Sequence, residues 1–157
     1  MKTLINGRWT DRKEEKQSND GSFKRKDTEF RNWITPDGSP GETGVGGFKA
    51  ESGRYHLYVS LACPWAHRTL IFRKLKNLEP HIGVSIVHPI MLENGWEFRT
   101  DFSQCTGDQI LGKNSIFEVY LAADKNITSR ASVPVLWDVK QATIAVSYTH
   151  LTLPTRS

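Results

Sequence analysis

The chain has 157 residues, 38% of them hydrophobic, and its 21 basic and 17 acidic residues give a net charge of +4. This length and composition predict about one globular domain with its own core. No apolar run approaches the ~20 residues that a transmembrane helix needs, and the first residues lack the apolar stretch of a signal peptide. We therefore expect a soluble, cytoplasmic protein with no membrane partner, and its two cysteines fit a reducing compartment.

Residues 1–53 are polar and contain loop signals at 36–41 (PDGSPG) and 44–47 (GVGG), so we expect little regular structure there. The glycine cluster leads into a strand instead of following one, which argues against a nucleotide-binding loop. Spaced aromatic residues predict an extended arm that lies on a globular surface: Phe23, Phe30, Trp33 and Phe48. The basic run from Lys24 to Lys26 is interleaved with acids and favours a solvated face over a nucleic-acid site.

A strand, a helix and a second strand follow the arm. Apolar and polar residues alternate over 55–61, which is typical of a strand. Residues 64–78 predict a helix with an apolar stripe of Leu70, Ile71, Leu75 and Leu78. Alternation returns at 82–86, and a unit of this length predicts two parallel strands with a right-handed crossover.

A long loop over 89–114 contains Trp96, and loops of this length are usually functional or disordered. Ser115 and Glu118 then predict a capping box at the start of a second helix, with Ile116, Val119, Tyr120 and Ala123 on one face. Apolar segments at 132–138 and 143–146 predict two further strands. Pro134 must begin its strand or lie in a turn, because proline donates no hydrogen bond to a central ladder.

Cys63 is the candidate reactive residue. It directly follows the first predicted strand of this unit, and Pro64 suits the first helical position. A thiol at a helix N-terminus faces unpaired N–H groups and the positive end of the helix dipole, which favour the thiolate. His67 lies one turn later, but no third group that could orient it is visible, so a Cys–His pair is not favoured. His56, His81 and His88 show no metal-ligand spacing.

Several segments carry a specific family resemblance: 23–25 (FKR), 30–33 (FRNW), 46–51 (GGFKAE), 53–71 (GRYHLYVSLACPWAHRTLI), 88–89 (HP), 93–98 (ENGWEF) and 133–138 (VPVLWD). With this order of elements, the chain resembles the thioredoxin fold and, within it, the glutathionyl-hydroquinone reductases, the Xi class of glutathione transferases. The resemblance covers roughly residues 5 to 145. It implies an α/β, thioredoxin-like glutathione-binding domain (βαβ then ββ) preceded by the extended arm.

The resemblance also implies residue roles. Cys63 is the nucleophile, Trp96 packs on glutathione, and the segment Arg130, Ala131, Ser132, Val133 holds it through the Arg130 side chain and the Val133 backbone. Pro134, implied to follow a cis peptide bond, faces the cysteine. Two carboxylates of glutathione suit an arginine and backbone N–H groups. Glutathione is then the co-substrate, no metal is required, and the parent protein is a homodimer acting on glutathionylated quinones.

The end of the chain departs from the family pattern. The family continues with a Glu-Ser pair for the γ-glutamyl end of glutathione and then a helical domain, whereas residues 146–157 read VSYTHLTLPTRS. The stretch SYTHLTLPT resembles a translated sequencing adapter. We therefore interpret the chain as an N-terminal fragment with three parts: an arm (1–53), a thioredoxin-like domain (54–145) and a foreign tail (146–157). We expect this fragment to be poorly stable and inactive, because truncation exposes apolar sheet surface.

The function implied for the parent is reduction of S-glutathionyl-hydroquinones through a Cys63–glutathione mixed disulfide. Ala66 fits this interpretation because it stands where a two-cysteine motif has its resolving thiol, so external glutathione must complete the cycle. Cys105 lies in the loop without a second motif and is interpreted as a bystander. Two alternatives are glutaredoxin-like deglutathionylation of protein disulfides and a non-enzymatic basic binding module.

Overall fold

The computed structural model describes residues 1–11 and 29–147. The elements in chain order are β1 (Lys2–Ile5), β2 (Arg8–Asp11), β3 (Tyr55–Val59), α1 (Pro64–Leu75), β4 (Gly83–Ile86), α2 (Ile116–Ala123), β5 (Val135–Asp138) and β6 (Thr143–Ser147).

A four-stranded mixed sheet forms the centre of the molecule, in the order β4-β3-β5-β6. Strands β3 and β4 are parallel and are joined through α1, which confirms the predicted βαβ unit. Strand β5 pairs antiparallel with both β3 and β6. This arrangement confirms the thioredoxin-like fold and brings the end of β3 beside the start of β5.

The strand predicted from residue 55 is confirmed as β3, but all five of its residues are buried, so the polar positions of the alternation do not face solvent. The long loop after β4 covers the second face of the sheet. There the ring of Tyr58 contacts Phe98 edge to face at 5.6 Å, and its hydroxyl donates to Asp108 Oδ1 at 2.8 Å. Polar atoms on this face are buried because partners from the loop satisfy them.

Helix α1 ends at Leu75, and its predicted apolar stripe is confirmed for Leu70, which packs against the core, but wrong for Ile71 and Leu75. Ile71 and Leu75 are 44% and 71% exposed, whereas the buried positions are Ala66 and Thr69. Small side chains on the sheet-facing side let the helix approach closely. Thr69 is satisfied there by donating its hydroxyl to the Ala66 carbonyl at 2.6 Å.

Helix α2 begins as predicted. Ser115 and Glu118 form the capping box, with the Ser115 N–H donating to Glu118 Oε2 at 2.9 Å. Ile116, Val119 and Tyr120 are buried along one face, which confirms the predicted packing side.

The N-terminal segment is more ordered than predicted, because β1 and β2 form an antiparallel hairpin. Asn6 and Gly7 at its tip have φ values of 48° and 76°, and an Asn-Gly pair with positive φ at both residues is a preferred two-residue hairpin turn. The expectation of little regular structure in residues 1–53 is therefore wrong for residues 2–11.

Residues 29–53 lie against the sheet. Asn32 N–H donates to the Ala145 carbonyl at 3.2 Å, beside β6. Phe48 is buried in the core and Phe30 packs on it, whereas Trp33 donates through Nε1 to Thr43 within its own segment. Phe23 and the Lys24 to Lys26 run lie outside the described residues.

Strand β6 continues through the buried Val146 and Ser147, so the predicted boundary at residue 145 falls inside a strand. Residues 148–157 lie outside the described part of the chain. Over residues 1–11 and 29–147, no helix has the length and apolarity needed to cross a membrane.

Candidate active site

The turn between β3 and α1 presents Cys63. Its N–H donates to the Ser60 carbonyl at 3.2 Å, and Ser60 Oγ accepts from the Ala62 N–H at 3.2 Å, which tightens the turn. Cys63 is the N-cap residue of α1, with extended backbone and no side-chain capping bond, and Pro64 opens the helix as predicted. Cys63 itself is half-buried.

The thiol faces the segment before β5. Cys63 Sγ lies 3.7 Å from the Val133 carbonyl oxygen, within reach of a weak S–H···O hydrogen bond. The peptide bond between Val133 and Pro134 is cis, as the resemblance implied. Tyr120 of α2 anchors the segment from inside the protein by donating its hydroxyl to the Ser132 carbonyl at 3.2 Å.

A cleft of about 530 Å³ continues from this segment across the surface. Four of the predicted site residues line it together: Trp96, Arg130, Ala131 and Ser132. Cys63, Val133 and Pro134 are not among the lining residues. Val133 nevertheless joins the two parts, since it follows Ser132 in the chain and contacts the thiol. A ligand attached to Cys63 would pass along Val133 into the cleft.

The hairpin β1–β2 forms a further wall that sequence reasoning missed. Lys2, Trp9 and Asp11 all line the cleft. The Asn6-Gly7 pair between Leu4-Ile5 and Trp9 was the signal that could have revealed the hairpin. Its place beside Trp96 depends on contacts more than 80 residues apart, such as Trp9 Nε1 to the Glu93 carbonyl, and sequence periodicity does not report these.

Charges of both signs line the cleft. Lys2 Nζ lies 2.7 Å from Glu93 Oε1, and this hydrogen bond lowers the pKa of the exposed Glu93 carboxyl. Arg130 supplies the second cation and Asp11 the second carboxylate of the lining. The arrangement suits an extended zwitterionic ligand that carries carboxylates and an ammonium group.

The remaining sequence candidates lie apart from this arrangement. His67 is exposed, and the hydrogen bond that joins it to Cys63 is the helical one between backbone atoms. Cys105 contacts the Val87 carbonyl at 3.5 Å, and burial together with the nearby Asp101 raises the pKa of its thiol. The raised pKa disfavours the thiolate form of Cys105.

A second cleft, of about 550 Å³, lies between α1, the sheet and the segment of residues 32–34 and 50–52. Its walls are largely apolar and include Tyr55, Leu57 and Leu136. Neither Cys63 nor any predicted glutathione-binding residue lines it. Within residues 1–11 and 29–147, no three His, Cys, Asp or Glu side chains are grouped so that they could hold a metal ion.

Residues 62–148 match the family model described as "Glutathione S-transferase, N-terminal domain". The chain is 56% identical over 144 residues to glutathionyl-hydroquinone reductase YqjG of Escherichia coli, covering 92% of this chain and 44% of that protein. It is 43% identical over 138 residues to glutathionyl-hydroquinone reductase PcpF of Sphingobium chlorophenolicum, covering 88% and 41%. The chain thus spans less than half the length of these relatives.

Solved structures of related proteins also superpose on this chain. The glutathione-bound structure of YqjG superposes with a TM-score of 0.74 at 60% identity, covering 76% of this chain and 39% of that one. A Xi-class glutathione transferase from Natrialba magadii superposes with a TM-score of 0.77 at 41% identity, covering 94% and 42%.

Proposed function

Because the chain belongs to the glutathione S-transferase family, whose N-terminal domain it contains, we propose that its protein reduces S-glutathionyl-hydroquinones with glutathione. The observation that supports this most is the position of Cys63. Its sulfur adjoins Val133 at 3.7 Å, and Val133 continues into the cleft lined by Trp96 and Arg130. Two of the chain's relatives are glutathionyl-hydroquinone reductases.

Glutathione in this proposal lies extended from Cys63 into the cleft. Arg130 offers a fork of N–H donors for a carboxylate, and the indole of Trp96 offers an apolar face. Val133 precedes β5, whose ladder with β3 begins at Val135. The Val133 backbone is therefore placed to pair with a peptide-like ligand.

The reaction proceeds in two exchanges. In the first, the Cys63 thiolate attacks the glutathionyl sulfur, the new S–S bond forms and the bond from sulfur to the ring carbon breaks. The electron pair goes to that carbon, which takes up a proton, and the free hydroquinone leaves. In the second, a glutathione thiolate attacks the mixed disulfide, releasing oxidised glutathione and the Cys63 thiolate. The two thiols together supply the two electrons.

External glutathione is needed in the second exchange because the first turn of α1 has one thiol. Ala66 is fully buried where a second cysteine of a two-cysteine motif would stand. An intramolecular disulfide within this turn is therefore excluded by composition alone.

Mass spectrometry tests the first exchange. After incubation with an S-glutathionyl-hydroquinone and no free glutathione, the chain should gain one glutathionyl group on Cys63 and release the hydroquinone. Cys63→Ser should gain none, whereas the matched variant Cys105→Ser should react like the wild type. An adduct that forms equally in Cys63→Ser would contradict the proposal.

Substrate competition separates this function from glutaredoxin-like deglutathionylation, which would use the same thiol. The proposed enzyme prefers a glutathionyl-hydroquinone over a glutathionylated protein when both are present. A basic nucleic-acid module instead predicts binding that weakens steeply with salt. A gel shift at physiological salt would reveal such a complex, and we expect none.

The proposal extends to the whole protein in two respects. We infer that the parent is a homodimer, which light scattering on the parent would measure. We also infer that the 157 residues alone are nearly inactive, because the Glu-Ser pair with which the family pattern continues is absent from residues 146–157. A turnover rate from this chain equal to that of the E. coli relative would overturn the second inference.

A further inference from the structure

The β1–β2 hairpin connects the two walls of the 530 Å³ cleft. On one side β1 pairs with the segment before Arg130: Leu4 and Ser129 exchange both backbone hydrogen bonds at 3.0 Å. The Gly7 N–H adds a third bond, to the Ile127 carbonyl at 2.9 Å. This pairing holds the hairpin against the chain that leads directly into the Arg130 wall.

On the other side Trp9 of β2 holds the turn that presents Trp96. Its indole stacks on Phe117 of α2, with ring centres 4.6 Å apart and planes 10° from parallel. Its Nε1 donates to the Glu93 carbonyl at 3.4 Å. The six-membered ring also lies against Gly95, where an added Cβ would lie 3.4 Å from Trp9 Cζ2.

The turn from Leu92 to Gly95 is held from outside by two residues of the hairpin, Lys2 through its ion pair with Glu93 at 2.7 Å and Trp9. Leu92 and Gly95 bond each other through their backbones, at 3.0 and 3.4 Å, and Gly95 has a φ of 72° that favours glycine. Leu92 and Glu93 themselves are exposed. Trp9 packs against this turn at Gly95 and at the Glu93 carbonyl, directly before Trp96 in the chain.

We propose that Trp9 is a positioning residue of the binding cleft: it seats the Leu92–Gly95 turn on Phe117 and thereby orders Trp96 for the ligand. This inference rests on the proposed function for the identity of the ligand, glutathione. Without Trp9 the turn samples more conformations in the free protein. Glutathione binding then has to order the turn, which lowers the affinity.

Glutathione affinity and the free-state NMR signals of the wall test the inference together. Trp9→Leu should raise the dissociation constant for glutathione about three- to tenfold, the cost of ordering one more side chain on binding. In the ligand-free protein, the Trp96 indole N–H and the Gly95 amide resonances should shift or broaden. Trp9→Phe keeps an aromatic ring on Phe117 and should recover most of the affinity.

Trp33→Leu is the matched control. Trp33 is also half-buried and also donates through Nε1, at 3.0 Å to Thr43, but it lies on the other cleft. The Trp33→Leu substitution should lower the melting temperature without changing the glutathione affinity or the Trp96 signal. An equal loss of affinity in Trp33→Leu would mean general destabilisation and would overturn the inference.

The two proposals fail differently. If the full-length wild-type protein binds no glutathione, the proposed function fails, and the free-state Trp96 and Gly95 signals still decide the positioning role. If the wild type binds but Trp9→Leu keeps both the wild-type affinity and these signals, the positioning role is wrong. Should Trp9→Leu fail to fold, Trp9→Phe decides by the free-state signals alone: loss of the Nε1 donor should shift the Gly95 amide and the Trp96 indole N–H, and unchanged signals would overturn the positioning role.

Discussion

Cys63 Sγ lies 3.7 Å from the carbonyl oxygen of Val133, although the two residues are 70 positions apart in the chain. The antiparallel pairing of β3 with β5 brings them together, because Tyr58 and Val135 are partners at the edge where β3 ends and β5 begins. The thiol therefore lies next to the Val133 backbone, and the preceding residue, Ser132, lines the cleft.

Arg130 should contribute directly to glutathione affinity. Arg130→Ala should weaken glutathione binding about tenfold or more, since hydrogen bonds to charged groups contribute about 1.5–3 kcal/mol. Isothermal titration measures the change. Lys113→Ala, which removes a half-buried cation that does not line this cleft, is the control and should bind like the wild type. Equal affinities of the two variants would contradict the assigned role of Arg130.

The buried ion pair of Arg54 and Asp138 should dominate the stability of the sheet. Arg54 donates through Nε to Oδ1 at 3.0 Å and through Nη2 to Oδ2 at 2.7 Å, and these bonds raise the pKa of Arg54. Arg54→Met should lower the free energy of unfolding by about 3–5 kcal/mol, because it leaves Asp138 charged and fully buried. Urea denaturation gives the value.

Two further variants show whether the loss of stability comes from the ion pair. Arg54→Met with Asp138→Asn should recover part of the loss, since the buried charge is gone while the amide oxygen still accepts from Lys140 N–H. Lys140→Met removes the exposed contact of Lys140 with Glu51 at 3.4 Å and should cost less than about 1 kcal/mol. Additive losses in the double variant would show that the two side chains do not act as a pair.

The free energy of unfolding should decrease as the pH falls below neutrality, and His56 is the cause. Burial lowers its pKa from the ordinary 6.5, and Arg73 adds to this, while Asp108 opposes it. The unfolded chain then binds a proton that the folded chain does not, so stability is full above pH 6.5 and declines as the pH falls from 6.5 towards the folded-state pKa. The slope from one such group reaches at most about 1.4 kcal/mol per pH unit.

His56→Gln removes this titration while keeping an amide within reach of Ser85, whose Oγ lies 2.7 Å from His56 Nε2. Urea denaturation at pH 5 to 8 should therefore give a flatter profile for the variant than for the wild type. His67→Gln, at an exposed position, should leave the profile unchanged. If the free energy of unfolding depended more steeply on pH in His56→Gln than in the wild type, the direction of the pKa shift assigned to His56 would be wrong.

Asp108 should matter more for stability than its hydrogen-bonded partner Tyr58. Besides the Tyr58 hydroxyl, its carboxylate accepts the N–H groups of Ile110, Leu111 and Lys113, each at 3.0 Å. Tyr58→Phe should cost about 1.5–3 kcal/mol, the contribution of one hydrogen bond to a charged group. Asp108→Ala should cost more, because it leaves the buried hydroxyl and three N–H groups without their acceptor.

Chemical denaturation of both variants checks this order. Asp124→Ala is a suitable comparison, because Asp124 is exposed and its side chain caps one N–H group, that of Asn126 at 2.9 Å. Its loss should be smaller than that of Asp108→Ala. If Tyr58→Phe proved the most destabilising of the three, the loop would not depend on Asp108.

Prediction from the sequence worked where short-range rules apply. The capping box at Ser115 and the helix start at Pro64 follow from neighbouring residues, and the structure confirms both. Helix α1 shows where the rules stop. Leu75 suits an apolar stripe but is exposed, and Thr69 is buried because the sheet lies on that side. The burial of both faces of β3 likewise depends on the long loop after β4, which contacts β3 through residues 40 or more positions later in the chain.

The sequence by itself determined the order of strands and helices from β3 to β6, the place of Cys63 between a strand and a helix, and the resemblance that assigned Trp96 and Arg130. These features depend on local periodicity, turn chemistry and motifs. Only the tertiary structure decided that Trp9 stands beneath the Trp96 turn and that Val133 faces the thiol. Such contacts arise when strand pairing and helix packing bury distant segments together, and short-range sequence patterns carry no information about which distant segments meet.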